Sequence, residues 1–201
     1  MANKKLGLGC LAVVILAVII VALTISGTYN SLVRLDQRVL AQWAQVENQY
    51  QRRADLVPNL VETVKGAADF EKSTFTAVTE ARAKVGQVQL SADKLTPETF
   101  AKFQEAQDGL SSALSRLLVV MEKYPDLKAT ENFKELQAQL EGTENRIATE
   151  RMRFNEAAQA FNTKRMSFPT VLIAGLFGAR FNEKPYFKAQ PGAETAPKVK
   201  F

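Results

Sequence analysis

The stretch SLVRLDQRVLAQWAQVENQY, residues 31–50, decides the fold. Its apolar residues are Leu32, Leu35, Val39, Trp43, Val46 and Tyr50, each three or four positions after the last. That spacing returns every one of them to the same face of a helix that turns once in about 3.6 residues. Downstream the pattern resumes after Pro58 with Val61, Val64, Ala68, Phe75, Val78 and Val85, interrupted by Glu71 and Arg82. The first break falls at Gly86–Pro97, where Thr96 and Pro97 read as N-cap and first helical residue, with Glu98 in the first turn. A further stripe runs Phe100, Phe103, Gln107, Leu110, Leu114, Leu117, Met121, Tyr124 and stops at Pro125-Asp126. The last holds Phe133, Leu136, Leu140, Thr143, Ile147, Arg151, Phe154, Ala158, Phe161 and Phe168.

No strand-like alternation of useful length occurs, so the fold class is all-α, and the short breaks make the helices antiparallel neighbours. The expected body, residues 29–168, is a long antiparallel bundle: a kinked first helix over 31–86, about 80 Å long at about 1.5 Å per residue, with two further helices packed along it. In the alternative, Pro58 breaks the first helix and the body is a compact four-helix bundle. A proline inside a helix costs about 3 kcal/mol, so a kink near Asp55 is expected in either case.

Upstream lies LGCLAVVILAVIIVALTI, residues 8–25, with no charge. At about 1.5 Å per residue it is long enough to cross a hydrocarbon core of about 30 Å, helped by slight thinning. Residues 8–26 are read as a transmembrane anchor behind a short tail, 1–7. A cleaved signal peptide is the competing reading, but its apolar core is usually only about 7–15 residues. A lipoprotein site at Cys10 fails, because the apolar stretch follows that cysteine instead of preceding it. Lys4, Lys5 and the terminal amine face Arg34 and Arg38 across the anchor, which leans toward a cytoplasmic N-terminus and an extracytoplasmic body.

The net charge is +5, and it belongs to the C-terminal end. From Lys164 onward, Lys164, Arg165, Arg180, Lys184, Lys188, Lys198 and Lys200 are opposed only by Glu183 and Glu194, so everything before is neutral. Within FPTVLIAGLFGARFNEKPYF, residues 168–187, an apolar run too short to span is mixed with aromatic and basic residues. The segment 169–188 has two readings: an interfacial segment on the membrane, or a fold-back that caps the bundle. The interface candidates are Phe168, Phe177, Arg180, Phe181, Lys184, Tyr186, Phe187 and Lys188. Residues 189–201 are expected to be a disordered tail.

Two polar clusters interrupt the helical stripes. One is Gln51-Arg52-Arg53-Ala54-Asp55-Leu56-Val57-Pro58-Asn59-Leu60-Val61. Arg52, Arg53, Asp55, Pro58 and Asn59 form either a charged recognition surface at a kink, or an Arg–Asp pair and an asparagine amide that satisfy backbone groups freed by the proline. The other holds Glu144, Asn145, Arg151, Asn155 and Asn162. Glu144 and Arg151 share a helix face, as do Asn155 and Asn162, giving polar layers either within one bundle or between identical subunits.

Catalytic readings find little purchase. With no histidine in the chain, His-based metal sites and His-dependent triads are excluded, and one cysteine excludes an intrachain disulfide or a cysteine cluster. Glu141 and Glu144 could supply an all-oxygen calcium or magnesium site, but paired carboxylates on a helix are usually solvated charge. Ser111 and Ser112 have no base, and no glycine-rich phosphate loop is present. The neutral body and the absence of a reading helix argue against nucleic acid. No cofactor or metal is expected.

The residues Tyr29-Asn30-Ser31-Leu32-Val33, the Gln51–Val61 run, Glu80-Ala81-Arg82, Glu122-Lys123-Tyr124-Pro125-Asp126-Leu127-Lys128, Glu141-Gly142-Thr143-Glu144-Asn145-Arg146-Ile147-Ala148, and Arg151-x-x-Phe154-Asn155 with Asn162 ahead of Phe168-Pro169 resemble the LemA family. The resemblance runs from residue 4 to about 188. Phe154 stands where many members carry tyrosine. The resemblance implies a bacterial inner-membrane protein with an amino-terminal transmembrane helix and a helical-bundle body, and it carries no catalytic residue onto any position here. A family member tied to magnetosome biogenesis points toward membrane organisation. The expected function is a non-enzymatic, membrane-anchored scaffold that touches lipid and self-associates. The alternative is an adaptor presenting its bundle to another membrane protein, such as a protease or an envelope-stress component.

Overall fold

The computed structural model describes residues 2–65, 72–88, 90 and 95–188. Among them the regular elements are helical: α1 (Ala2–Lys65), α2 (Lys72–Gln87), α3 (Pro97–Met121), α4 (Pro125–Lys128), α5 (Glu131–Met166) and α6 (Thr170–Leu176), followed by a 3-10 turn over Gly178–Phe181. The expected tail 189–201 lies outside the described residues, as do the side chains of Lys4, Lys5 and Cys10. The expected N-terminal tail 1–7 is helical from Ala2 onward.

The all-α fold is as the sequence predicts, but its first break is not. α1 continues through Pro58 and ends at Lys65, and α2 folds back along it. Lys65 lies over the Phe75 ring, and Arg82 reaches Ala54, so the two helices run antiparallel. The body is a four-helix bundle of α1, α2, α3 and α5, not a rod with two companions. The helix expected over 31–86 is thus two helices, α1 ending at Lys65 and α2 beginning at Lys72, while the break expected at Gly86–Pro97 is present between Gln87 and Pro97. A signal was present in the sequence. Lys65 followed by Gly66 is a basic last turn with a glycine stop, the usual end of a helix.

α3 begins as expected. Thr96 caps it, Pro97 is its first residue, and Thr96 and Thr99 exchange side-chain-to-backbone bonds in a capping box. The bundle has two apolar clusters. The one nearer the apolar end of α1 gathers around Trp43, whose ring lies within 6.3 Å of those of Phe100, Phe103, Phe154 and Phe187. Each large side chain that leaves water here contributes roughly 1.5–3 kcal/mol. Trp43 also donates its indole N–H to the Leu90 carbonyl at 3.1 Å, which ties the α2–α3 connection to the core. The far cluster holds Leu60, Val64, Leu110, Leu117, Met121 and Phe133.

α2 covers only the far half of α1. In the near half the fourth position is filled by residues 182–188, which run back up the bundle as an extended strap. Residues 11–23 of α1 stand clear of the bundle with every side chain exposed. α1 is the helix among the described residues that is long and apolar enough to cross a membrane, and none of its apolar window is buried.

Candidate functional site

Arg53 sits on the inward face of α1 and is 0% exposed. Its Nη1 donates to Ser111 Oγ at 2.6 Å and to Glu144 Oε1 at 2.7 Å. Its Nη2 donates to the Gln107 carbonyl at 3.1 Å and to Gln107 Oε1. The guanidinium carbon lies 5.1 Å from the centre of the Tyr50 ring. One cation thus clamps α1, α3 and α5 at the level where the two apolar clusters meet. The stripe positions Gln107 and Thr143 are buried in the same region, and Thr143 returns its hydroxyl to the Gln139 carbonyl at 2.7 Å. Such a charge is tolerable inside only when it is paired; both terminal nitrogens are, while Nε is buried without a hydrogen-bond partner, and the layer fixes the register of three helices.

Pro58 removes the N–H that would bond the Ala54 carbonyl four residues back. The sequence suggests partners for that carbonyl within the Gln51–Val61 run, but the structure places one elsewhere. Arg82 Nε on α2 donates to the Ala54 carbonyl at 3.1 Å. Asp55 instead accepts from Gln51 Nε2 at 2.8 Å, and the Asn59 carbonyl accepts from Thr63 Oγ1 at 2.9 Å. Arg52, Asp55, Pro58 and Asn59 are all exposed. The run therefore divides by helix face: Arg53 braces the interior, and its neighbours make an outer charged surface.

A second layer centres on Arg151. Its Nε donates to the Tyr50 hydroxyl at 2.6 Å, and its Nη2 lies 3.5 Å from Asp108 Oδ1. Its guanidinium also faces the rings of Tyr50 and Phe187, at 5.5 and 5.0 Å. Burial raises the pKa of Tyr50, and the charge and hydrogen bond of Arg151 oppose that rise in part.

Asn155 and Asn162 hold the strap. Asn155 donates Nδ2 to the Phe187 carbonyl at 3.0 Å and accepts the Phe187 N–H at 2.9 Å. Asn162 does the same with Lys184, at 2.9 Å for both bonds, and also donates to the Tyr186 hydroxyl at 3.0 Å. Seven helical residues rise about 10.5 Å, and three extended residues span about 10 Å, so two asparagines one heptad apart read positions 184 and 187 in register. Each amide replaces the sheet partner that the strap lacks. Glu144, Arg151, Asn155 and Asn162 all make their bonds within the chain. Asn145 is exposed, and its carbonyl accepts from Thr149 Oγ1 at 2.9 Å.

The interface candidates separate into two groups. Phe181 and Phe187 are buried in the core, so they do not face a membrane. Lys184 is paired with Asp36 at 2.6 Å, and the Lys188 carbonyl accepts from Gln104 Nε2 at 3.1 Å. The fold-back reading describes these four together with Tyr186, because apolar rings and backbone groups there find partners on α1, α3 and α5. Phe168, Phe177 and Arg180 are exposed, as are the side chains of Tyr186 and Lys188. Phe177 and Arg180 lie beside Tyr29, whose ring is 4.8 Å from that of Phe177 and under the Arg180 guanidinium at 5.6 Å.

Sequence reasoning passed over Asp108 and Asp36, noted Arg82 only as an interruption of the stripe and in the family motif, and weighed Ser111 only as a nucleophile. Gln107 carried a signal, since a polar residue within an apolar stripe needs a buried partner. Arg82, which interrupts a stripe, carried the same signal, and Asp36 and Asp108 carried none, because each meets its partner far away in sequence. The layers consist of hydrogen bonds and ion pairs that join the helices. Glu144, once a candidate metal ligand with Glu141, is bound to Arg53, and Glu141 accepts from Gln137 Nε2 at 3.0 Å. Among the described residues no group of three or more His, Cys, Asp or Glu side chains is placed to hold a metal ion.

Magnetosome proteins are among the relatives. Magnetosome protein MamQ 2 of Paramagnetospirillum magneticum is 26% identical over 213 aligned residues, covering 96% of this chain and 78% of the relative. Magnetosome protein MamQ of Magnetospirillum gryphiswaldense is 26% identical, over 92% of this chain and 74% of its own. Protein LemA of Metamycoplasma hominis is 24% identical, over 74% and 64%. The LemA family pattern matches residues 42–201, which leaves the apolar span and the Tyr29–Val33 motif outside it and takes in the Arg53 layer, Arg82 and both strap asparagines. With more than half its length matched in this way, the chain belongs to the LemA family.

Proposed function

We propose that the protein is a non-enzymatic, single-pass scaffold of the bacterial inner membrane that self-associates and organises or shapes that membrane, with its bundle on the extracytoplasmic side. The observation that carries this reading is the continuity of α1. One helix of 64 residues joins the apolar span to the bundle core, with no loop between them. Displacing the bundle therefore tilts the span, so contacts between bundles act directly on lipid. Kinship with magnetosome proteins supports a role at a membrane surface.

The test is the size and shape of the full chain extracted in mild detergent, by chromatography with light scattering and then electron microscopy. Large ordered assemblies are expected. A strictly monomeric particle refutes self-association. Crosslinking in cells that yields one dominant foreign membrane protein, with few self-crosslinks, would replace the scaffold with an adaptor.

A further inference from the structure

α6 is a two-faced helix whose faces are both apolar. Its inner face, with Thr170, Ile173 and Ala174, is buried against the bundle. The outer face presents Val171, Leu172 and Leu176, which at about 100° per residue occupy one arc of about 140°, and Phe168 is exposed in the turn just ahead of the helix. Phe168 is 81% exposed, Leu172 63% and Leu176 76%. These are large side chains left in water at adjacent positions, and burying each fully would gain roughly 1.5–3 kcal/mol. A contiguous exposed apolar patch of this kind marks an interaction site.

The place of the patch names its occupant. The rings of Phe177 and Phe181, at the end of α6, pack on Tyr29, at 4.8 and 5.6 Å. Tyr29 stands four residues beyond Ile25, where the apolar run of α1 ends, and so about 6 Å along the axis from it. Interfacial helices sit about 5–10 Å into the boundary between headgroups and acyl chains, which is the same depth. Arg180 is exposed at this level over the Tyr29 ring, where a cation meets lipid phosphate. We propose that the outer face of α6 inserts into the leaflet from which α1 emerges, giving the bundle a second, monotopic attachment to an anionic bilayer. The inference rests on α1 spanning that bilayer. A helix that only spans leaves the bundle free to rotate about its axis. A second apolar contact on one side of α1 fixes the face that the bundle turns to the membrane.

The experiment places single tryptophans in the full chain, reconstituted into vesicles of phosphatidylcholine and phosphatidylglycerol with or without brominated acyl chains. Native Trp43, wholly buried, supplies a constant background. The variants are Leu172→Trp on α6, Phe168→Trp just ahead of it, Leu16→Trp in the span, and Val119→Trp, which is 69% exposed on α3. All four positions are exposed, so the fold is retained, and circular dichroism checks it. Brominated lipid is expected to quench Leu172→Trp and Phe168→Trp nearly as strongly as Leu16→Trp, and to leave Val119→Trp bright. Quenching of Leu16→Trp with both α6 probes bright would overturn the second attachment and leave the spanning helix standing. A bright Leu16→Trp would overturn the spanning reading and the inference with it. Equal quenching at Val119 and Leu172 would mean the bundle adheres without preference, which also overturns it.

Discussion

Truncation of Arg53 tests the central brace most directly. In Arg53→Ala, the Gln107 carbonyl and Oε1 lose the donors they share, and Gln107 is itself 2% exposed, so no water readily replaces them. A buried group left unsatisfied costs about 1–3 kcal/mol, and the emptied space adds a cavity term. Glu144 contributes less, because its side chain is 44% exposed and turns to solvent. The expected loss is about 3–5 kcal/mol, the range for breaking a buried pair from its buried side. Glu144→Gln keeps an acceptor at the same place and leaves Arg53 bound to Ser111 and Gln107, so about 1 kcal/mol is expected. In a protein of this size each kcal/mol moves the melting temperature by about 2–4 °C. Arg53→Ala should therefore melt roughly 6–20 °C below the parent, and Glu144→Gln only a few degrees below. Circular dichroism of the full chain in detergent, with heat and with urea, reads both. The reasoning is refuted if Arg53→Ala stays within about 1 kcal/mol of the parent, or if Glu144→Gln costs as much as Arg53→Ala.

Three other perturbations bear on the fold. Arg82→Ala should destabilise by about 1–2 kcal/mol, and Pro58→Ala in the same chain should recover most of it, because the restored N–H takes the Ala54 carbonyl; equal losses in both backgrounds, read by urea unfolding, would separate Arg82 from the proline. Asn155→Ala leaves the Phe187 backbone without its two partners, so faster amide exchange and proteolysis are expected within residues 182–188 while α1 and α5 stay protected. Tyr50 titrates higher in the folded chain than in the unfolded one, so its contribution is complete below about pH 10 and is lost as pH rises through the folded value. Stability measured across that range should fall with pH in the parent and fall less steeply in Tyr50→Phe.

Much of this fold is legible in the sequence because helix packing is local in its cause. The stripe through Leu32, Val39, Trp43 and Tyr50 is buried, and so is the stripe from Phe100 to Met121. The apolar period does not mark the end of α1 at Lys65, because it carries on from Val64 to Phe75, and periodicity records a face without recording a turn. Phe168 continues the α5 stripe in sequence yet lies outside the bundle, since α5 has ended at Met166. The polar layers were visible as residues and not as pairs. Arg53 and Glu144 are 91 positions apart, and only the packed bundle brings them together. The heptad between Asn155 and Asn162 was a true sign of a shared face, but what that face holds is an extended strap that no helical period describes.

That the polar layers close within one chain separates folding from assembly. Arg53, Glu144, Arg151, Asn155 and Asn162 already have partners, so they offer little to a second subunit. If copies of the chain assemble, contacts must use other surfaces, and a layer variant should act on assembly only through stability. Glu144→Gln supplies the test, because it weakens the layer by about 1 kcal/mol and leaves nearly all of the chain folded. Light scattering well below its melting temperature should give the same particle size as the parent. A particle that dissociates while its melting temperature holds would show that Glu144, half-exposed at the edge of the layer, bridges subunits, and that the layer is shared between chains instead of closed within one.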